Sequence, residues 1–290
     1  MPPELHEKGP LTNFAASMET TTPIQIDLDA ILRSRLPRHS RFIPHFLVNR
    51  LKKIICQNEL NEMLRRCHGK RDDEFCRGVI DHLGITYTVE GADNLPESPR
   101  FIAVSNHPLG GLDGMILIDY FSRRYDRKVK FIVNDLLMAI EPLSGVFIPI
   151  NKHGSQSREY SWLMDRAMES DDPVIIFPAG LCSRKGDDGK VADLRWQKNF
   201  INKAIHNHRD IIPMRFDGEN SSFFYNFARL RTRLGLKFNI EMIRLPREVF
   251  LSAGKHFTIR IGPPVSWQTL KGGRSAQSEA DTLRQLIYKL

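Results

Sequence analysis

"RFIAVSNHPLGGLDGMILIDYFSRRY", residues 100–125, decides how this chain folds. It opens with an apolar run, RFIAVS, of the buried-strand type. It closes, from Asp113 onward, with apolar residues at helical spacing and cations in the last turn. Between them Pro108, Gly110 and Gly111 mark a tight turn. A strand that passes through a glycine-rich turn into a helix is the opening of an α/β unit.

The alternation continues along the chain. ITYTVEG (85–91), VKFIV (129–133), GVFIPI (145–150), PVIIFP (173–178), DIIPMRF (210–216) and HFTIRIG (256–262) read as strands. DLLMAIEPL (135–143) reads as a short helix closed by Pro142. SREYSWLMDRAMES (157–170) and RWQKNFINKAIHNH (195–208) read as helices. So do SFFYNFARLRTRLG (222–235), with Gly235 as its stop, and the stretch 275–290. The expected fold is α/β, a largely parallel central sheet flanked by helices. It occupies 84–290 and carries the chemistry.

Two segments precede it. Residues 1–26 are polar, Pro/Thr-rich and aperiodic, and are expected to be a disordered tail. Residues 27–83 are expected to be a basic amphipathic helical extension. In FIPHFLVNRLKKII (42–55), Ile43, Phe46, Leu47, Leu51, Ile54 and Ile55 recur every three or four residues, with Arg50, Lys52 and Lys53 largely off that face. The net charge is +8, and residues 31–80 hold 12 Lys/Arg against 5 Asp/Glu, so most of the excess lies here. Such a surface can dock on the core, lie on an anionic bilayer, or meet nucleic acid or an acidic protein.

Other classes are disfavoured. Runs such as PVIIFPAGL fall short of the roughly 18–20 apolar residues a membrane helix needs, and the start lacks the pattern of a signal peptide. Cys56, Cys67, Cys76 and Cys182 are scattered, with no Cys-x-x-Cys pair. They read as reduced thiols of a cytoplasmic protein, not as a disulfide framework or zinc site.

The chemistry centres on His107 and Asp113. On a helix they would point about 120° apart; on a strand they would lie roughly 20 Å apart. Only a loop that folds back brings them together. Pro108 fixes one backbone angle, and Gly110 and Gly111 permit the positive φ of a tight return. A carboxylate on one imidazole nitrogen orients the ring and stabilises its cation, so the other nitrogen can take a proton from a hydroxyl. The same residues also suit a polar turn in which Asp113 caps the following helix. No third ligand stands near them for a metal, and no Gly-Lys-Ser/Thr follows the glycines, so a P-loop is excluded.

Four blocks in order resemble the glycerolipid acyltransferase family, which includes glycerol-3-phosphate and 1-acylglycerol-3-phosphate acyltransferases. SNHPLGGLD (105–113) resembles its catalytic His–Asp block, GVFIPINK (145–152) its acceptor-phosphate block, IIFPAGLCSR (175–184) its Phe-Pro-Glu-Gly-Thr-Arg-Ser block, and IIPMRF (211–216) its apolar strand around a proline. The resemblance spans about residues 85–265. It implies His107 as general base and Asp113 as its partner. Asn151, Lys152, Gly180, Ser183 and Arg184 are implied to hold acceptor or thioester.

The departures matter. Five residues separate His107 from Asp113, where the family has four. Asn151-Lys152 replaces an Asn/Asp-Arg pair, and Ala179 replaces a glutamate. Lysine lacks the planar fork that grips phosphate bidentately. These changes suggest an acceptor whose headgroup is not glycerol phosphate. The arrangement is similar to bacterial members that esterify the 3-hydroxyl of an N-(3-hydroxyacyl) amino acid, the glycine and ornithine lipids. The alternative is 1-acylglycerol-3-phosphate acylation.

The resemblance implies an O-acyltransferase of membrane lipid synthesis, with no resident cofactor or metal. Its co-substrate is an acyl-carrier protein thioester or acyl-CoA, and its acceptor a lysolipid. The expected location is cytoplasmic, peripheral on the inner face of the cell membrane, with the basic helices on anionic headgroups at about 1 kcal/mol per cation. Two distant alternatives are a degenerate fold that binds lipid without turnover and a nucleic-acid-binding module. The second lacks a helix-turn-helix cue, an aromatic RNA-binding signature and zinc spacing, so nucleic acid is not an expected partner.

Overall fold

The computed structural model describes residues 24–35, 37, 42–134, 137–138, 140–150, 157–236 and 238–290. The chain opens with α1 (Leu28–Arg35), α2 (His45–Ile54), α3 (Gln57–Arg66) and α4 (Asp72–His82). Then come β1 (Thr86–Glu90), β2 (Phe101–Ser105), α5 (Leu112–Tyr125), β3 (Lys130–Asn134), β4 (Phe147–Ile150), α6 (Ser157–Glu169) and β5 (Val174–Ile176). The two-residue strands β6 (Arg184–Lys185) and β7 (Val191–Ala192) follow, then α7 (Asn199–His206) and β8 (Asp210–Asp217). The chain closes with α8 (Ser222–Arg233), α9 (Leu245–Phe250), β9 (His256–Ile261) and α10 (Ala276–Ile287).

β2 lies inside a seven-stranded sheet of order β1-β9-β8-β2-β5-β3-β4. Neighbours pair in parallel except at β8–β9, where Met214 to Asp217 run antiparallel to Ile261 to Thr258. Every residue of β2 is buried because helices cover both faces. Phe101 and Ala103 pack with Val79, Ile116 and Phe121 from α4 and α5. Ile102 and Val104 face the other way, with Met168, Phe200, Ile201 and Leu283 from α6, α7 and α10. The two-residue period of the strand thus divides the core between two helical layers.

The described residues of 27–83 are mostly helical, and the later helices share the main core: Met63 and Cys67, then Phe75, Cys76, Val79 and Ile80 of α4, pack with the sheet. Residues 1–23 of the expected tail lie outside the described residues. Ile26 is tied down, its N–H donating to Asn61 Oδ1 at 2.8 Å and its carbonyl accepting from Asn61 Nδ2 at 3.0 Å. All four cysteines are free and buried. No helix among the described residues is long and apolar enough to cross a membrane.

Two local readings change, and one stretch without a reading takes a form of its own. Pro142 lies in a 3-10 turn, Glu141–Leu143, where proline suits a first turn; residues 135, 136 and 139 of the expected short helix lie outside the described residues. α7 begins at Asn199, four residues later than the apolar spacing suggests. Trp196 is drawn into the core, and the Gln197 N–H donates to the Pro178 carbonyl at 2.9 Å. SRKGDDGK is the turn of a hairpin, with Arg184 opposite Ala192 and Gly189 left-handed at φ +80.

At the sheet edge away from the strand ends, fully buried Arg209 closes α6. Its guanidinium donates to the carbonyls of Ala167, Met168, Ser170, Asp172 and Phe101, which answers the unpaired carbonyls of a helix C-terminus.

Candidate active site

β2, β3, β4, β5 and β8 all end at one edge of the sheet, where open α/β folds collect ligands. Asn106 continues the ladder past the end of β2. Its Nδ2 donates to the Phe216 carbonyl at 2.9 Å, and its Oδ1 accepts the Phe216 N–H at 2.7 Å. His107 therefore leaves the sheet from a fixed point. The Pro108 carbonyl accepts from Asn220 Nδ2 at 3.2 Å, which ties the loop to the end of β8.

The loop then folds back. Gly110 takes the left-handed φ of +77, while Gly111, at φ 170, does not, so one glycine of the pair uses the expected freedom. A Cβ at Gly110 would also lie 2.8 Å from a Leu245 methyl and 3.1 Å from Cys182 Cβ. The extra residue in the loop is accommodated: His107 Nδ1 stands 2.9 Å from Asp113 Oδ2.

Asp113 is fully buried in the first turn of α5 and serves as both partner and cap. Oδ2 also accepts the Leu109 N–H at 2.9 Å. Oδ1 accepts the N–H groups of Gly111 at 3.1 Å and Gly114 at 3.0 Å. Burial by itself would raise the carboxyl. The His107 charge and the hydrogen bonds from His107, Leu109 and Gly114 outweigh it and hold Asp113 below the ordinary carboxylate value.

One further contact fixes the imidazole and another its main chain, and neither residue is among the expected site residues. The His107 ring stacks on Phe177, with centroids 4.1 Å apart and planes 18° from parallel. Phe177, just past the end of β5, is braced edge-on by Phe131. Beneath the backbone lies buried Asp193. Its Oδ1 accepts the His107 N–H at 3.1 Å and the Ser183 hydroxyl at 2.6 Å; its Oδ2 accepts the Trp196 indole N–H at 2.8 Å. Phe177 carries a signal in the quoted third block, since it follows a strand into a Pro–Gly turn. Asp193, in VADLRW, carries none.

The other expected residues divide. Ser183 is buried; its hydroxyl goes to Asp193 and its N–H to the His107 carbonyl at 2.7 Å. Arg184 turns inward, donating to buried Glu241 at 2.8 Å and to the Cys182 carbonyl at 2.6 Å. Arg231 meets the same carboxylate at 2.9 Å. Gly180 is exposed, in the left-handed region at φ +68. Asn151 and Lys152 lie outside the described residues; in sequence they follow the end of β4.

A cavity of about 360 Å³ opens at this edge, lined by Asn106, Pro108, Ser183, Arg215, Asp217 and Tyr288. A second, of about 530 Å³, lies between the β6–β7 hairpin and α8, lined by Leu181, Arg184, Lys185, Tyr225, Arg229 and Arg231. The His107 side chain is 15% exposed, while Asp113 behind it is fully buried.

With Nδ1 engaged by a carboxylate, the arrangement can hold the ring in one tautomer and offer Nε2 to an incoming hydroxyl. An α/β sheet with such a base at its strand ends suits group transfer to a hydroxyl. The chain belongs to an acyltransferase family, whose model matches residues 30–290; the protein is an acyltransferase. It is 42% identical over 265 residues to the lyso-glycine lipid O-acyltransferase of Bacteroides thetaiotaomicron, covering 91% of this chain and 97% of that one. It is 41% identical to the protein of the same name from Phocaeicola vulgatus, covering 91% and 95%. A solved structure of the 1-acyl-sn-glycerophosphate (LPA) acyltransferase PlsC from Thermotoga maritima matches at 14% identity and a TM-score of 0.43, over 84% of this chain and 92% of that one.

Proposed function

We propose that this protein esterifies the hydroxyl of a lysolipid of the glycine-lipid type, with an acyl-carrier protein thioester or acyl-CoA as donor. The observation that carries the reading is the His107 Nδ1–Asp113 contact, which leaves Nε2 for the acceptor. The relatives named lyso-glycine lipid O-acyltransferase support the choice of acceptor. Among candidate binding residues, Lys152 is assigned to the acceptor carboxylate, which a lysine meets as a point charge. The protein works at the inner face of the cell membrane, where such a lysolipid lies.

The step balances without an acyl-enzyme. Nε2 takes the acceptor hydroxyl proton as the oxygen attacks the thioester carbonyl carbon. The C–O bond forms, the C–S bond breaks, and the leaving thiolate takes the proton from the imidazolium. Asp113, held ionised, stabilises that cation. Phe177 keeps the ring from rotating.

The test uses purified protein with N-(3-hydroxyacyl)glycine, its ornithine counterpart and 1-acylglycerol-3-phosphate, each with both donors. The glycine acceptor should react fastest; faster transfer to 1-acylglycerol-3-phosphate overturns the reading. His107→Ala should lose ~10²–10⁴-fold in kcat, the usual worth of general base catalysis, while still folding, with a melt lowered by the loss of Asp113's partner but well above the assay temperature. Total lipid analysis of cells lacking the protein should show the monoacylated amino-acid lipid accumulating.

A further inference from the structure

Residues 222–251, from α8 through α9, form an arm over the active-site loop, and its two faces differ in kind. The inner face holds the loop. Leu245 packs against Gly110, and Met242 Sδ lies 3.9 Å from Cys182 Sγ. Asn220, at the root of the arm, holds the Pro108 carbonyl. The outer face is apolar: Phe223, Leu230, Leu234, Leu236, Phe238 and Ile240 are all exposed, Leu234 by 64% and Phe238 by 88%. Soluble surfaces seldom carry so many large apolar side chains together.

Charge sorts the same way. The arm contains six Lys/Arg and two acids, Glu241 and Glu248. Both acids are buried. Glu241 is held by Arg184 and Arg231, and Glu248 accepts the Ser221 N–H at 2.7 Å and hydroxyl at 2.8 Å. Arg231 is taken up by Glu241, and Arg229 lies 3.4 Å from Asp187 of the β6–β7 hairpin; the described residues of the arm's outer side otherwise present Arg233, Arg244 and Arg247 among the apolar groups, with no carboxylate of the arm itself. Arg244 lies 4.1 Å over the Phe223 ring, an amphipathic pairing suited to a headgroup boundary.

We infer that this arm is the surface by which the protein lies on an anionic lipid bilayer, with its apolar side chains among the acyl chains and its cations at the headgroups. The inference rests on the proposal that the acceptor is a membrane lipid. It adds where the membrane is met: on the element that packs on Gly110, so the His107 loop is delivered to the bilayer. The arm adjoins the N-terminal helices. Arg244 and Arg247 lie close enough to Cys56, between α2 and α3, for their charges to act on its thiol. Exposed Phe42 and Phe46 of the N-terminal segment offer a second apolar pair, tested separately below.

The experiment is co-sedimentation of the full chain with vesicles of phosphatidylcholine, with and without phosphatidylglycerol. The unaltered protein should bind only the anionic vesicles and release as salt rises. Leu234→Ser with Phe238→Ser should cut that binding at least about tenfold, since both side chains are solvent-facing. The double variant should keep its thermal melt and its turnover of detergent-dispersed acceptor. Phe42→Ser with Phe46→Ser should cut binding less. Full binding by the arm variant overturns the inference. So does an arm that covers a second copy: dimeric unaltered protein, monomeric variant, and vesicle binding equal in the two. Arm-dependent binding without turnover of any acceptor leaves the inference standing and sinks the proposed reaction instead.

Discussion

Asp193 sits beneath His107 and holds its main chain, Oδ1 accepting the His107 N–H at 3.1 Å. The same carboxylate takes the Ser183 hydroxyl and the Trp196 indole. It touches no part of the imidazole, so it is a positioning residue. Asp193→Ala leaves three donors without their acceptor, at about 1–3 kcal/mol for each that stays buried and unpaired. Urea titration should register the loss of stability. In the folded fraction, kcat should fall while KM stays near its original value, because Asp193 is buried and all three of its side-chain bonds are to the protein itself. A unchanged kcat would show that the His107 backbone needs no such support.

Asp113 gives a pH dependence with a fixed sign. Its folded-state pKa lies below the ordinary 3.8, so it binds fewer protons folded than unfolded. Its stabilisation is complete above the unfolded value and disappears as pH falls through the lower, folded value. Asp113→Asn removes that linkage. Unfolding free energy followed from pH 7 into the acid range should fall less steeply below pH 3.8 in the variant than in the unaltered protein. Parallel curves would place the acid sensitivity elsewhere. Transfer activity should drop with the same substitution, since an amide cannot balance an imidazolium.

Gly110 meets two constraints at once, a left-handed φ and the close approach of Leu245 and Cys182. Gly110→Ala should cost about 1–2 kcal/mol from backbone conformation alone, and the contact adds to it. The displaced loop should separate His107 from Asp113, so activity should fall more than stability. Assay at a temperature well below the melt separates the two effects. A variant with full activity would mean the loop relaxes without moving the imidazole.

How far the sequence reveals this molecule depends on the range of the forces involved. RFIAVS, its glycine turn and the following helix are set by local periodicity, and the His107–Asp113 contact follows from what such a loop permits. The antiparallel β8–β9 join is not local: HFTIRIG alternates in the same way whichever direction its neighbour runs. β6 and β7 are two residues each, too short to show a period. Asp193 looks like any surface aspartate; its partners His107 and Tyr288 stand 86 and 95 residues away. Arg184 is recognisable as a cation next to a motif, but its direction is set by Glu241, 57 residues on.

That ion triad allows a last discrimination. Glu241 is fully buried between Arg184 and Arg231, 2.8 Å from one and 2.9 Å from the other. Glu241→Gln leaves two guanidinium groups without a counter-charge, and breaking a buried pair in this way costs about 3–5 kcal/mol. Exchanging all three for apolar residues of similar volume should cost less than the single change, because no charge is then left unpaired. Arg231 also donates to the Leu236 carbonyl at 2.8 Å, so Glu241→Gln should loosen the turn after α8 and speed proteolysis there. If Arg184 serves the fold through Glu241, Arg184→Ala should lower stability and leave the KM for acceptor and donor unchanged. A raised KM at unchanged stability would return Arg184 to substrate binding.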